Sequence, residues 1–291
     1  MNRPSCLLAS ALTAGMLLST AACSGDDGSA SGRTDRSASP VSASPVADEP
    51  RAASTSASPS TSASSSSSAS ASPAVRELTK DEARTALITN SDLGSQWTAS
   101  EGAATWRDAL LKSKVDASQF VTDKGNAADC QKLLDGLYAE DLLGKPKGES
   151  AKTGFDDSDD EAQLRYQVAA YGKQALDDRF KWLDTLPDKC DQFTAVSPKG
   201  GRQTVQVIHT DLDDAGEARK GLQIKMTGNL DDNPDTLTLD YAAVRVGDSA
   251  LSLTNGGLSG AEHDSTEQAA EAGANRLKAV LNGKSPEATQ G

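Results

Sequence analysis

Apolar residues repeat at helical spacing in three segments of the chain, and each repeat predicts a helix. In the segment 127–138 the apolar face includes Cys130, so this thiol should point toward a core. The other two segments are 173–186, which Pro187 should end, and 265–281, which is rich in alanine. The pattern therefore predicts three long helices between residues 127 and 281.

Between these helices the period changes to two, which is typical of half-buried strands. Gly247 and Asp248 form a good hairpin turn between the last two of them. Because strands occur together with helices before, between and after them, the sequence predicts an α+β fold with an antiparallel sheet of about six strands and flanking helices. The candidate strands are 151–155, 164–170, 192–196, 203–209, 222–227, 236–246 and 250–254.

Two capping-box sequences mark helix starts. Thr79 and Glu82 can exchange hydrogen bonds at the start of a short helix, and Ser265-Thr266-Glu267-Gln268 repeats the pattern at the start of the last one. The segment 91–94 should interrupt the helix that begins after Thr79. A further short helix is expected at 104–112. Helices thus precede the sheet as well as follow it.

The first residues have the layout of an export signal, with Arg3 followed by an uncharged stretch that is too short to cross a bilayer. Thr20-Ala21-Ala22-Cys23 resembles the lipobox of bacterial lipoproteins, although Leu is usual where Thr20 stands. The resemblance implies a signal peptide over 1–22 and a lipid anchor on Cys23. The alternative is ordinary secretory cleavage after Ala22, which would leave Cys23 as a free thiol.

The segment 23–75 has almost nothing to bury, and its stretch 52–74 contains only Ala, Ser, Thr and Pro. Such a composition cannot offset the entropy of ordering, so a disordered tether is expected. As a flexible coil of about 50 residues it would span roughly 40 Å between its ends. Apolar content returns after it, which predicts one extracytoplasmic domain over 76–288.

The whole chain has a formal net charge of −13. A charge of this sign disfavours nucleic acid and anionic membrane surfaces as partners. Of the four cysteines, Cys130 and Cys190 fall in the predicted domain, and outside the cytoplasm such a pair most often forms a disulfide. The alternative is two reduced, buried thiols. A redox role is disfavoured, since the two are not spaced as Cys-x-x-Cys.

Candidate chemistry is sparse. His209 and His263 are the two histidines and are interpreted as structural or solvated, at a strand end and in a loop. Gly257-Leu258-Ser259-Gly260-Ala261 lacks the second glycine of a nucleophile elbow. The acidic segments 156–161, 211–216 and 231–235 could attract calcium but are interpreted as solvated turns. We therefore expect no enzyme activity, no catalytic residue, no metal and no cofactor.

Five features resemble the PknH-like extracellular sensor-domain family of actinobacterial lipoproteins and receptor kinases. They are Leu93-Gly94-Ser95-Gln96-Trp97, the helix with Cys130 and Tyr138, the helix before Cys190, Val244-Arg245-Val246-Gly247-Asp248, and the closing Ala-rich helix. The resemblance implies a twisted antiparallel sheet flanked by helices, with a cleft for a ligand.

Together, these features predict a non-enzymatic sensor or ligand-binding lipoprotein, held at the extracytoplasmic face of the cell membrane by Cys23. A small ligand or a cell-envelope protein is the expected partner. The alternative function is that of an acidic partner-binding or structural lipoprotein of the cell envelope.

Overall fold

The structure is a computed structural model, and it describes residues 77–158, 162–230 and 233–286. The predicted signal peptide 1–22, Cys23 and the whole predicted tether 23–75 precede these residues and lie outside the description. Among the described helices, none combines the length and the apolarity that a membrane span requires.

The described residues form one sheet of nine antiparallel strands in the order β1-β3-β4-β9-β8-β7-β6-β5-β2. The long hairpin of β7 and β8 lies near its middle, and the two shortest strands form its edges. The strands are β1 (Trp97–Ala99), β2 (Lys114–Val115), β3 (Ser150–Asp157), β4 (Gln163–Ala170), β5 (Gln192–Val196), β6 (Arg202–Thr210), β7 (Ala218–Leu230), β8 (Asn233–Val246) and β9 (Ser249–Gly257).

The antiparallel sheet and the mixed α+β content are confirmed, but the expected number of about six strands is wrong. The strands without a candidate segment in the sequence are β1 and β2, of three and two residues, which pair with β3 and β5. Strands this short are too brief to show an alternating pattern. The turn at Gly247 and Asp248 is confirmed, since Val246 pairs directly with Ser249 across it.

Six α-helices are described: α1 (Lys80–Thr85), α2 (Asn90–Leu93), α3 (Lys124–Ala139), α4 (Lys173–Asp184), α5 (Leu186–Lys189) and α6 (His263–Leu281). Part of the expected helix at 104–112 is a π-helix, Arg107–Leu111, and Ala117–Gln119 form a 3₁₀ turn. The predicted capping box on α1 is confirmed by hydrogen bonds in both directions between Thr79 and Glu82.

Three helix boundaries differ from the prediction. The α6 helix begins at His263, so Ser265 lies inside its first turn rather than capping it. The segment 91–94 contains most of the short helix α2 instead of a simple break. Pro187 does not end the preceding helix: α4 already stops at Asp184, and Pro187 occupies the first turn of α5, where proline needs no backbone donor.

Helices cover both faces of the sheet. On one face α3, α4, α5 and the π-helix bury a core with the apolar side chains of β6, β7 and β8. On the other face α1, α2 and α6 pack on β4, β8 and β9. In β8, Tyr241 and Ala243 belong to the first core, and Ala242 and Val244 to the second. The central part of the sheet is therefore covered on both sides, and several polar residues of the central strands, such as Gln167 and Asp240, are buried.

A disulfide joins Cys130 in α3 to Cys190, directly after α5, with a distance of 5.6 Å between the two Cα atoms. Both residues are fully buried in the first core. The predicted pairing is confirmed, and the bond fixes α3 to the short helix that leads into β5.

Candidate functional site

A small polar cleft lies between the C-terminal end of α3 and the centre of the sheet. It leaves about 20 Å³ for the centre of a water molecule, which is room for a single ordered water. The cleft is therefore almost closed in this conformation. Its wall consists of Gly136, Glu140, Leu142, Arg165, Tyr166, Gln167, Tyr241, Ser252, Leu253 and Thr254.

The strand register brings the polar part of this wall together. Arg165 in β4 pairs with Thr254 in β9, which pairs in turn with Tyr241 in β8. Gln167 pairs with Ser252 in the same way. Because directly paired residues of antiparallel strands share a face, all five side chains extend from the sheet on the side of α3.

The alternation that predicted β4 as half-buried holds, but its polar side is not solvated. Gln167 is 6% exposed, because α3 and the segment after it cover that side of the sheet. The sequence analysis named no residue of the cleft as a functional candidate. A polar residue that faces a second buried layer gives the same alternating pattern as one that faces water.

Glu140 places a carboxylate at the mouth of the cleft. It caps α3 with a left-handed backbone, at φ 56° and ψ 38°, and is the one non-glycine residue with positive φ in the described part of the chain. This conformation costs an L-residue about 1 to 2 kcal/mol. The strain is offset by the ion pairs that this side chain makes.

Three cations surround the Glu140 carboxylate. Arg165 donates from Nε to Oε1 at 2.8 Å, Arg107 approaches Oε1 through Nη2 at 3.3 Å, and Lys152 approaches Oε2 at 3.4 Å. Arg107 is 6% exposed and also donates from Nη2 to the carbonyl of Tyr138 at 2.8 Å. The cluster ties the end of α3 to β3, β4 and the π-helix.

Burial alone would raise the pKa of Glu140, but the hydrogen bond from Arg165 and the charges of Arg165, Arg107 and Lys152 outweigh it and hold the pKa below its ordinary value. Burial lowers the pKa of Arg107, and the charge of Glu140 partly opposes this. Glu140 is therefore ionised at neutral pH and is committed to its three cations. It is not available as a general base.

Two buried polar atoms in the cleft are not satisfied by the surrounding protein: Oε1 of Gln167 has no hydrogen-bond partner, and the hydroxyl of Tyr241 lies near Ser252 but without good hydrogen-bond geometry. Burial raises the pKa of Tyr241 well above its ordinary value, so its hydroxyl stays protonated and can donate. An amide acceptor and a phenol donor without partners would each cost about 1 to 3 kcal/mol if left unsatisfied. The cleft is thus built to receive a group that both donates and accepts.

The histidines lie elsewhere. His209 is in β6, 55% exposed at its side chain, and 3.6 Å from Asp211. His263 is the first residue of α6 rather than part of a loop, with Nδ1 2.9 Å from the buried Asp240 and Nε2 3.0 Å from the carbonyl of Asp211. Burial alone would lower the pKa of His263, but Asp240 and Glu267 raise it. His209 lies near the end of its strand as predicted, whereas the predicted loop position of His263 is wrong.

The acidic segments are dispersed rather than convergent. In 156–161, Asp156 and Asp157 belong to β3, and residues 159–161 lie outside the description. In 211–216, Asp214 pairs with Arg219 at 2.5 Å. In 231–235, Asp235 belongs to β8. Across residues 77–158, 162–230 and 233–286, no three side chains of the metal-binding types are grouped to hold an ion.

Gly257-Leu258-Ser259-Gly260-Ala261 forms a narrow turn, with a bridge between Gly257 and Gly260, after β9. It is not the strand-to-helix elbow that presents a nucleophile. Trp97 and Trp106 are buried in the two cores, whereas Trp182 is half-buried at the surface of α4.

No protein-family model matches this sequence, and no curated protein matches it. Among solved structures, the chain is similar to the extracellular domain of PknH from Mycobacterium tuberculosis. The match has 12% sequence identity and a TM-score of 0.40, and it covers 72% of this chain and 100% of that domain. A match of this size is a weak structural resemblance.

Proposed function

We propose that the chain is a lipoprotein anchored by Cys23 at the extracytoplasmic face of the membrane, and that its folded domain is a non-enzymatic sensor or ligand-binding module. The observation that carries the binding role is the pair of partnerless polar atoms in the cleft, on Gln167 and Tyr241. Buried polar groups are nearly always hydrogen-bonded, so unsatisfied groups that line a cleft support a role for another molecule in completing the network.

The two atoms define the group that fits. The Gln167 oxygen needs a donor, and the protonated Tyr241 hydroxyl needs an acceptor. A hydroxyl or a primary amide supplies both. Since the cleft has room for one water, the ligand inserts a single such group, and the rest of the ligand stays outside the mouth beside Glu140 and Arg165.

A thermal-shift screen of the full chain against polyols, sugars and amino-acid amides tests the binding role. We expect a saturable rise in melting temperature with at least one of these probes, and its loss in Gln167→Met, which keeps the side-chain length but removes the amide. Gln206→Met, on an exposed position of β6, is the matched control and should keep the shift. If no probe shifts the wild type, or Gln167→Met shifts equally, the cleft is not a binding site.

The anchor has its own test. In cells that express the full chain, Cys23→Ser should move the protein from the membrane fraction to the soluble fraction, because the acylated thiol is the predicted membrane contact. Cys6→Ser, which alters a cysteine inside the predicted signal peptide, should leave the membrane fraction unchanged. Fractionation followed by immunoblotting measures both. Equal membrane retention of Cys23→Ser and wild type would contradict lipidation at this residue.

A further inference from the structure

Arg179 in α4 is exceptional among the arginines of this acidic chain. The described residues contain eight arginines, and seven of them have a carboxylate within 4 Å, whereas Arg179 has none. It is half-buried, and its guanidinium donates no hydrogen bond to the protein. Among the described arginines, Arg179 is therefore the one whose charge no directly contacting carboxylate neutralises.

A second cation without a carboxylate lies next to it. Lys132 of α3 places its ammonium 4.3 Å from the centre of the Trp182 ring, and the guanidinium of Arg179 lies 5.1 Å from the same centre. The nearby Asp129 is already engaged, since it accepts from Nε1 of Trp182 at 2.9 Å and pairs with Lys189 at 2.5 Å. Two like charges therefore share one indole ring, and neither forms an ion pair with a carboxylate of the described residues.

Burial and the charge of Arg179 both lower the pKa of Lys132, and the charge of Asp129 opposes this only in part. This direction agrees with the geometry, because the two cations repel each other. An anion placed between them would remove the repulsion, and it would also occupy the donors of the guanidinium, which are arranged as a fork that suits carboxylate and phosphate oxygens.

The space for such an anion is present. Both cations line a surface groove of about 540 Å³ that runs along the outer side of α3 to the following loop, where it also meets Lys145. The loop turns at Gly144, with φ 87°, and a Cβ there would lie 2.9 Å from a terminal nitrogen of Arg179. Glycine at this position therefore keeps the guanidinium accessible from the groove.

We propose that this groove is a binding site for a small oxyanion, whose carboxylate or phosphate group is held between Arg179 and Lys132, with Lys145 at the rim. Asp135 and Asp141 also line the groove and restrict it to anions of low charge. The site shares Gly136 and Leu142 with the polar cleft but lies on the other side of that wall, and it stands independently of the cleft's role.

Tryptophan fluorescence of the full chain provides the test. Sodium phosphate and sodium succinate are titrated separately at constant ionic strength, balanced with sodium chloride. Because Trp97 and Trp106 are buried in the cores, a change in emission reports mainly on Trp182. We expect a saturable change with at least one of the two anions and none with chloride. Comparing the apparent affinities for phosphate and succinate identifies which oxyanion the site prefers.

Arg179→Gln and Lys132→Gln should each weaken the apparent affinity about tenfold or more, since each removes a charge-assisted hydrogen bond. Lys181→Gln is the matched control, because Lys181 is exposed on the same helix but does not line the groove. Circular dichroism verifies that each variant is folded. If Arg179→Gln does not fold, Lys132→Gln alone decides the outcome. A response that is linear in salt, or equal in the Lys132 and Lys181 variants, would overturn the site.

Discussion

Replacing both Cys130 and Cys190 by Ala is expected to lower the free energy of unfolding by about 4 kcal/mol. The disulfide closes a loop with a sequence separation of 60 residues, and the chain-entropy model assigns roughly this value to a loop of that length. For a domain of this size, the loss corresponds to a fall in melting temperature of roughly 10 °C. The bond also joins α3 to the helix that enters β5, so its loss should loosen the helix layer above the sheet.

Urea unfolding of the purified full chain, followed by circular dichroism, measures this change. Cys130→Ala alone is the comparison variant, because it removes the bond but only one of the two side chains. It should lose nearly as much stability as the double variant if the covalent link is the cause. A double variant within about 1 kcal/mol of wild type would show that the packing of α3 on the sheet suffices without the bond.

The local patterns of the sequence predicted the long elements well, and the reason is visible in α3. Its residues Cys130, Leu133, Leu134 and Leu137 are all buried, because a helix with one apolar face has one way to pack against a sheet. The edge strands β1 and β2 could not be predicted this way. They exist because β3 and β5 offer them backbone hydrogen bonds, and this is a long-range condition that no local pattern records.

The candidate cleft was less accessible to sequence reasoning than the fold. The resemblance to sensor domains implied a cleft, but not which residues line it. Whether Arg165 and Gln167 face water or a second layer depends on where the end of α3 lies, about 30 residues earlier in the chain. Glu140 gave no signal either, since the left-handed cap of a helix is usually glycine, and a glutamate there becomes informative only when its three cations are seen.

The groove lined by Arg179 and Lys132 was also beyond the reach of sequence reasoning. From the sequence alone, Arg179 and Lys132 would be interpreted as ordinary surface cations on two separate helices. They stand out only in the folded chain, where Asp129 of α3 pairs with Lys189 and forms no ion pair with either of them. Charge counting along a sequence cannot reveal a cation that lacks a partner.

The second large effect is expected at Glu140. Glu140→Gln should lower the free energy of unfolding by about 3 kcal/mol at neutral pH, because it leaves the buried Arg107 beside Arg165 without the carboxylate that neutralises them. Glutamine has nearly the same size and the same left-handed backbone cost, so the difference isolates the charge. Asp81→Asn, which breaks the exposed pair with Arg84, is the control and should cost less than about 1 kcal/mol.

The pH dependence of this difference identifies its origin. The pKa of Glu140 is lower in the folded chain than its ordinary value, so the folded state stabilises the ionised form. That contribution is complete above the unfolded pKa of about 4.3 and is lost as the pH falls through the folded pKa. Urea unfolding at pH 7 and at successively lower pH should therefore show wild type and Glu140→Gln converging in the acid range. A difference that stays constant down to the acid limit would mean that shape rather than charge makes Glu140 important, and the ion cluster would then not be what holds the mouth of the cleft.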